Sequence, residues 1–143
     1  MFTVEDSVSI DRPVEAVFAF IADPTTYPRW RGDVVAVEPL TPSPLRRGST
    51  FVQIIASFLG RQRFTFEVIG YEPSRQLELR ATSGPVRPTV TYRVEPAEHG
   101  TRLTARIDVH TGGALRLLEP LMSGGVKKRN SQDLPKLKQV LEG

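Results

Sequence analysis

The side chains able to do chemistry in this 143-residue chain are few. Tyr92 falls on the apolar side of an alternating run, and its hydroxyl can donate to a bound carbonyl or to a backbone group. Gln53 shares a face with Phe51 and Ile55 if that strand keeps its alternation, so it could orient a ligand or sit at a bulge. Asn130 continues, four residues on, a helical stripe of Leu118, Met122 and Val126. A polar residue on a buried helix face needs a partner from the sheet, water or a ligand. The other reading of Asn130 is that the whole polar run Lys127 to Asp133 lies beyond the cavity. His110 ends a strand-like run before Thr111-Gly112-Gly113 and could overhang a cavity mouth as an acid or base, whereas His99 belongs to the turn Glu98-His99-Gly100.

None of these groups forms a motif that names a reaction, so no catalytic residue is assigned. The two histidines have no HExxH or paired-carboxylate context, and cysteine is absent, which removes thiolate nucleophiles, disulfides and cysteine-held metals. The pairs Gly112-Gly113 and Gly124-Gly125 lack the strand, spacing and Lys of a phosphate-cradling loop, and there is no GxSxG elbow. No metal and no cofactor is expected. Apolar residues make up 39% and charged residues 24%, with no run long enough to cross a bilayer, so no integral membrane contact is expected. Net charge is only +3, from 19 basic and 16 acidic residues, and most arginines are spread singly along strand-like segments. The one dense basic run, Lys127-Lys128-Arg129, reads as a solvated helix face, and nucleic-acid binding is not expected. Met1 to Asp6 lacks the basic, apolar and small-residue succession of a secretory signal, which with zero cysteine makes the cytoplasm the expected location.

The elements that must position the candidate residues follow from hydrophobic period. Phe2, Val4, Val8 and Ile10 alternate as a strand that stops at Asp11-Arg12-Pro13. Val14, Val17, Phe18 and Ile21 then recur at helical spacing until Asp23-Pro24, and Tyr27-Pro28-Arg29-Trp30 predicts a second short helix or turn with the only Trp facing inward. Six more strand-length segments follow: Val34 to Glu38, Thr50 to Phe58, Arg63 to Tyr71, Gln76 to Ser83, Thr89 to Glu95 and Thr101 to His110. Short punctuation such as Leu59-Gly60-Arg61 and Glu72-Pro73-Ser74 predicts antiparallel neighbours in a meander. One face of that sheet is apolar (Phe64, Phe66, Val68; Leu77, Leu79, Ala81; Val90, Tyr92, Val94) and needs a cover. The cover is the C-terminal segment Ala114 to Glu142, with Leu115, Leu118, Met122, Val126, Leu134, Leu137 and Leu141 at spacings of three and four. As a helix it spans about 40 Å. Pro120, Gly124-Gly125 and Pro135 each weaken it, and a bend or break is expected between Pro120 and Val126.

A strand, two short helices, a curved antiparallel sheet of about six to seven strands and a long C-terminal helix in its hollow make an α+β helix-grip arrangement. The residues resemble one family. Ser9-Ile10-Asp11-Arg12-Pro13-Val14-Glu15-Ala16-Val17-Phe18, then Asp23-Pro24 with Tyr27-Pro28-Arg29-Trp30, is similar to the opening of the START-related polyketide cyclase and dehydrase superfamily, SRPBCC. Arg46-Arg47-Gly48-Ser49-Thr50-Phe51, Tyr92-Arg93-Val94-Glu95-Pro96 and Gly100-Thr101-Arg102-Leu103-Thr104 agree, so the resemblance covers residues 1–143 as one domain. These motifs are turns and core positions, specific for fold rather than activity.

The resemblance implies a cavity between sheet and helix that carries lipids, sterols or polyketide-like molecules, with cyclisation or dehydration catalysed inside it in some members. Homodimers occur among relatives. The inward residues agree with apolar walls: Trp30, Phe51, Phe66, Leu79, Tyr92 and Ile107 from the sheet side, and Leu118, Met122 and Val126 above, with Gln53 and Asn130 as orienting groups. For each of these, plain core packing is the competing reading. Three functions follow: holding a hydrophobic or polycyclic small molecule, a cyclase or dehydratase in the same cavity, or a protein-interaction module with a filled core.

Overall fold

The computed structural model describes residues 1–57 and 60–143. Seven strands, β1 Phe2–Ile10, β2 Val34–Pro39, β3 Thr50–Ser57, β4 Gly60–Glu72, β5 Gln76–Ala81, β6 Arg87–Ala97 and β7 Gly100–His110, form one antiparallel sheet in the order β1-β7-β6-β5-β4-β3-β2. The meander read from the short turns is therefore present, with β1 returning to pair with β7. The predicted strand end at Phe58 and the Leu59 part of the expected hairpin lie outside the described residues; Ser57 of β3 and Gly60 of β4 are paired. Strand β6 runs two residues further at each end than its apolar alternation indicates, and β5 stops at Ala81 rather than Ser83.

Curvature has local causes. Register shifts between Val34 and Ala36 and between Val68 and Gly70 bulge β2 and β4, and a bulge bends its strand and increases its twist. At the β6–β7 hairpin, Gly100 holds φ +124, and a Cβ there would run into the Ile10 carbonyl oxygen, so only glycine serves.

Helix α1, Val14–Ile21, buries Val17, Phe18 and Ile21, the face that its spacing predicts. A 3₁₀ turn, Pro24–Thr26, is capped by the Asp23 side chain accepting from the Thr25 N–H, and leads into α2, Tyr27–Trp30. Tyr27 and Trp30 are both buried, and the Tyr27 hydroxyl donates to the Ile21 carbonyl at 2.9 Å, fixing α2 against α1.

The C-terminal segment corrects the sequence reading. Gly113–Leu118 is a 3₁₀ helix, and the α-helix α3 begins only at Glu119 and runs unbroken to Glu142. The expected break between Pro120 and Val126 is absent because Pro120 occupies the first turn, where no intrahelical N–H is required. The Gly124-Gly125 pair stays helical with open space where Cβ atoms would be. Leu115 and Leu118 therefore do not extend the α3 stripe, since a 3₁₀ turn has 3.0 residues per turn and rotates them off its face. Leu118 is 39% exposed.

α3 runs along β1. At its start, Glu119 accepts from Thr111 and pairs with the Met1 amino group; at its end, the Glu142 carboxylate accepts from the Asp11 N–H at 2.8 Å and Arg12 donates to the Leu141 carbonyl at 3.0 Å. Lys138 donates to the Ser9 carbonyl between them. The sheet, the long C-terminal helix and the short helices after the first strand make the predicted helix-grip fold. Among the described residues, no helix is long and apolar enough to cross a membrane.

Candidate functional site

The inner face of the sheet carries a continuous aromatic layer. Trp30 meets Tyr27 edge-on at 5.8 Å and Tyr92 at 5.9 Å; Tyr27 meets Phe51 at 6.2 Å; Phe51 stacks on Phe66 at 5.9 Å. Such pairs prefer edge-to-face or offset geometry, so the layer is a fitted wall rather than a loose collection of rings. Phe51, Phe66, Leu79 and Tyr92 are at most 2% exposed.

Beside this wall lies a charge network absent from the sequence reading. Arg31, in the turn after α2, reaches the Tyr92 hydroxyl at 3.4 Å, Asp33 at 3.3 Å and Asp133 of α3 at 3.4 Å. Asp133 also accepts from the Gly32 N–H and from Arg129, both at 3.1 Å. Burial alone would pull the Arg31 guanidinium down, but Asp33, Tyr92 and Asp133 outweigh it and hold its pKa above its ordinary value. Burial raises Tyr92, with Arg31 opposing, so its hydroxyl stays protonated at neutral pH. Tyr92 therefore accepts from Arg31 and keeps its own hydrogen for another acceptor.

The network pins α2 to the middle of α3. Within the polar run, Lys127 and Lys128 are exposed as expected of a solvated face, while Asn130 and Asp133 are buried. The sequence holds one signal of this, since Arg129 and Asp133 stand at the helical i,i+4 spacing just before Leu134. The partnership with Arg31, about a hundred positions away, leaves no such mark.

Three buried side-chain atoms have no hydrogen-bond partner among the described residues: Trp30 Nε1, Gln53 Oε1 and Asn130 Nδ2. All three belong to residues singled out from the sequence. They come from α2, β3 and α3: Asp133 of α3 accepts from the Gly32 N–H two residues after Trp30, and the Ala56 N–H of β3 donates to the Asp33 carbonyl. Phe51, on the same face as Gln53, touches Tyr27, which touches Trp30. An unpaired buried polar atom costs about 1–3 kcal/mol, so three in one interior call for a reason.

The other candidates divide by depth. Ile107, Met122 and Val126 are half-buried, Leu118 is exposed, and His99 and His110 are both exposed. Two grooves, of about 430 and 350 Å³, lie elsewhere: one between α1 and the C-terminal end of α3 beside Arg12, Phe20 and Leu141, the other beside Arg47, Glu67 and Arg80. Neither is lined by any of the eleven residues expected at the ligand site. No group of three or more His, Cys, Asp or Glu among the described residues is arranged to hold a metal ion.

Solved structures of the same fold place this arrangement among known proteins. A protein from Thermus thermophilus matches with a TM-score of 0.84 at 16% identity, covering 98% of this chain and 97% of that one. An aromatase/cyclase from Streptomyces sp. R1128 matches with a TM-score of 0.79 at 16% identity, over 99% and 93% of the two chains. A START superfamily protein from Mycobacterium smegmatis matches with a TM-score of 0.72 at 20% identity, over 99% and 94%. At these identities the likeness shows the fold alone. No curated protein matches the sequence. Residues 1–142, however, match the family described as polyketide cyclase / dehydrase and lipid transport, and the chain belongs to that family.

Proposed function

We propose that the protein holds a hydrophobic or polycyclic small molecule, of lipid, sterol or polyketide-like type, between the sheet and the N-terminal half of α3. The contrast along α3 carries this reading. Its C-terminal half is packed, with Leu134, Leu137 and Leu141 at most 7% exposed, whereas Met122 and Val126 remain half-buried and the inward Ile107 of β7 is half-buried too. Apolar side chains left partly uncovered on both sides of a grip are the walls a hydrophobic guest would complete. Met122 suits an adaptable wall, being flexible and polarizable. With both ends of α3 tied to β1 or its flanks, a guest would enter without the helix leaving the sheet. A cytoplasmic location accompanies this reading. Native mass spectrometry of freshly purified protein, followed by thermal-shift screening of sterols, fatty acids and aromatic polyketides, tests it: a retained or stabilising guest supports it, and a protein that carries and accepts none overturns it.

Tyr92 favours one second reading, a cyclase or dehydratase in the same space. Its protonated hydroxyl, oriented by Arg31 and with its hydrogen unspent, is placed to donate to a carbonyl oxygen as charge develops there. A guest that is turned over by the wild type, but only bound by Tyr92→Phe, establishes that reading. A guest recovered unchanged from both proteins supports the carrier.

A further inference from the structure

The three unpartnered atoms specify more than a greasy hollow. Indole Nε1–H is only a donor, the Asn130 Nδ2 group donates, and the Gln53 Oε1 atom accepts. Tyr92 adds a third donor, since its one contact with Arg31 uses its oxygen and not its hydrogen. Donors thus come from α2, β6 and α3, and an acceptor from β3; Trp30 and Tyr92 meet edge-on at 5.9 Å, and Gln53 lies across from Phe64 of β4. Resting on the ligand-holding reading above, we infer that this interior selects an oxygenated guest: an apolar skeleton whose carbonyl or comparable acceptor oxygen meets Trp30 and Asn130, with a hydroxyl directed at Gln53. The physical reason is asymmetry in cost. A hydrocarbon fills the space but leaves the buried polar groups unpaired, while a ketone of the same shape accepts from the Trp30 and Asn130 donors, and only an added hydroxyl can donate to Gln53.

Three probes sharing one skeleton test this: fluorene, 9-fluorenone and 9-fluorenol, titrated into the wild-type protein. The chain has a single Trp, so one indole N–H resonance in a ¹⁵N-labelled sample reports directly on Trp30. The expected result is binding of fluorenone about tenfold tighter than fluorene, the worth of one well-made hydrogen bond to an otherwise unpaired group. The indole proton should move downfield with fluorenone and not with fluorene. Asn130→Leu should bring the ketone and hydrocarbon towards equal affinity, and Gln53→Met should remove any advantage of the alcohol; should either variant not fold, the wild-type affinities and indole shift decide. Equal affinity of fluorene and fluorenone, with the indole resonance unmoved by the ketone, overturns the polar selection and leaves an apolar hollow whose amides are served by water. Failure of all three probes to bind overturns the hollow and the selection together.

Discussion

Replacing Gln53 with Met should make the ligand-free protein more stable. The side chain is 1% exposed, its Oε1 has no partner among the described residues, and it lies on the face that carries Phe51 and Phe64. An unsatisfied buried acceptor costs about 1–3 kcal/mol, and methionine fills a similar volume without the polar atom. For a domain of this length a change of 1 kcal/mol moves the melting temperature by about 3–5 °C, so the expected rise is about 3–15 °C. The measurement is urea and thermal denaturation of protein stripped of bound lipid by denaturation and refolding, because a retained guest would add its own stabilisation. An unchanged denaturant slope would show that the rise is one of stability rather than of compactness. If Gln53→Met instead loses more than about 1 kcal/mol, the amide is satisfied in the native protein and its polarity is structural. The reasoning that ties the unpaired atoms to a guest would then fail.

Other perturbations separate the packed and open parts of the grip. Leu137→Ala, at a fully buried position, should cost about 2–5 kcal/mol, while Met122→Ala should cost less than about 1 kcal/mol in the empty protein; similar losses at both would mean that α3 is packed along its whole length. Gly100→Ala should destabilise by about 1–3 kcal/mol in urea titrations, since the positive φ and the Ile10 carbonyl leave no room for a Cβ; a neutral outcome would show that the hairpin relaxes freely. Burial raises the Asp133 carboxyl above its ordinary 3.8, with the Gly32 N–H, Arg31 and Arg129 opposing. The folded state then holds this proton more tightly than the unfolded chain, so the stability Asp133 contributes is present below its unfolded pKa and is lost as pH rises through the folded value. Measured from about pH 3.5 to 7, the stability of Asp133→Asn relative to wild type should therefore climb with pH and then level; a flat or falling difference refutes the assignment.

Much of the sheet is legible in the sequence because its signal is local. Phe64, Phe66 and Val68 alternate with polar neighbours, and each lies buried on the predicted face; Val17, Phe18 and Ile21 do the same at helical spacing. The C-terminal segment misleads because a period of three and a period of 3.6 look alike over one turn. Spacing alone assigns Leu115 and Leu118 to an α-helical stripe, and only the conformation at Gly113–Leu118 shows them rotated out of it. Proline misleads as well, since Pro120 would break a helix interior but suits a first turn, and the turn's position depends on where the 3₁₀ segment ends. Among the polar candidates, Asn130 and Gln53 are buried, as extending a stripe and an alternation indicates. Arg31 and Asp133 are not: each looks like an ordinary surface charge until the fold brings α2 onto α3, and their pairing is a tertiary fact. Whether a hollow remains is equally out of reach, because alternation marks which side chains point inward and not whether they fill the space they enclose.

The account stands on a guest lying beneath the N-terminal half of α3. The chain has two methionines, Met1 at the exposed N-terminus and Met122 on that half of the helix, so a sample labelled with ¹³C at the methionine methyls gives two resonances. Titration with oleate, cholesterol and 9-fluorenone should move the Met122 resonance saturably with at least one of them while Met1 stays in place. A Met122 resonance that none of these moves, or a guest whose binding shifts Met1 alone, would contradict the claim that this grip is the binding site.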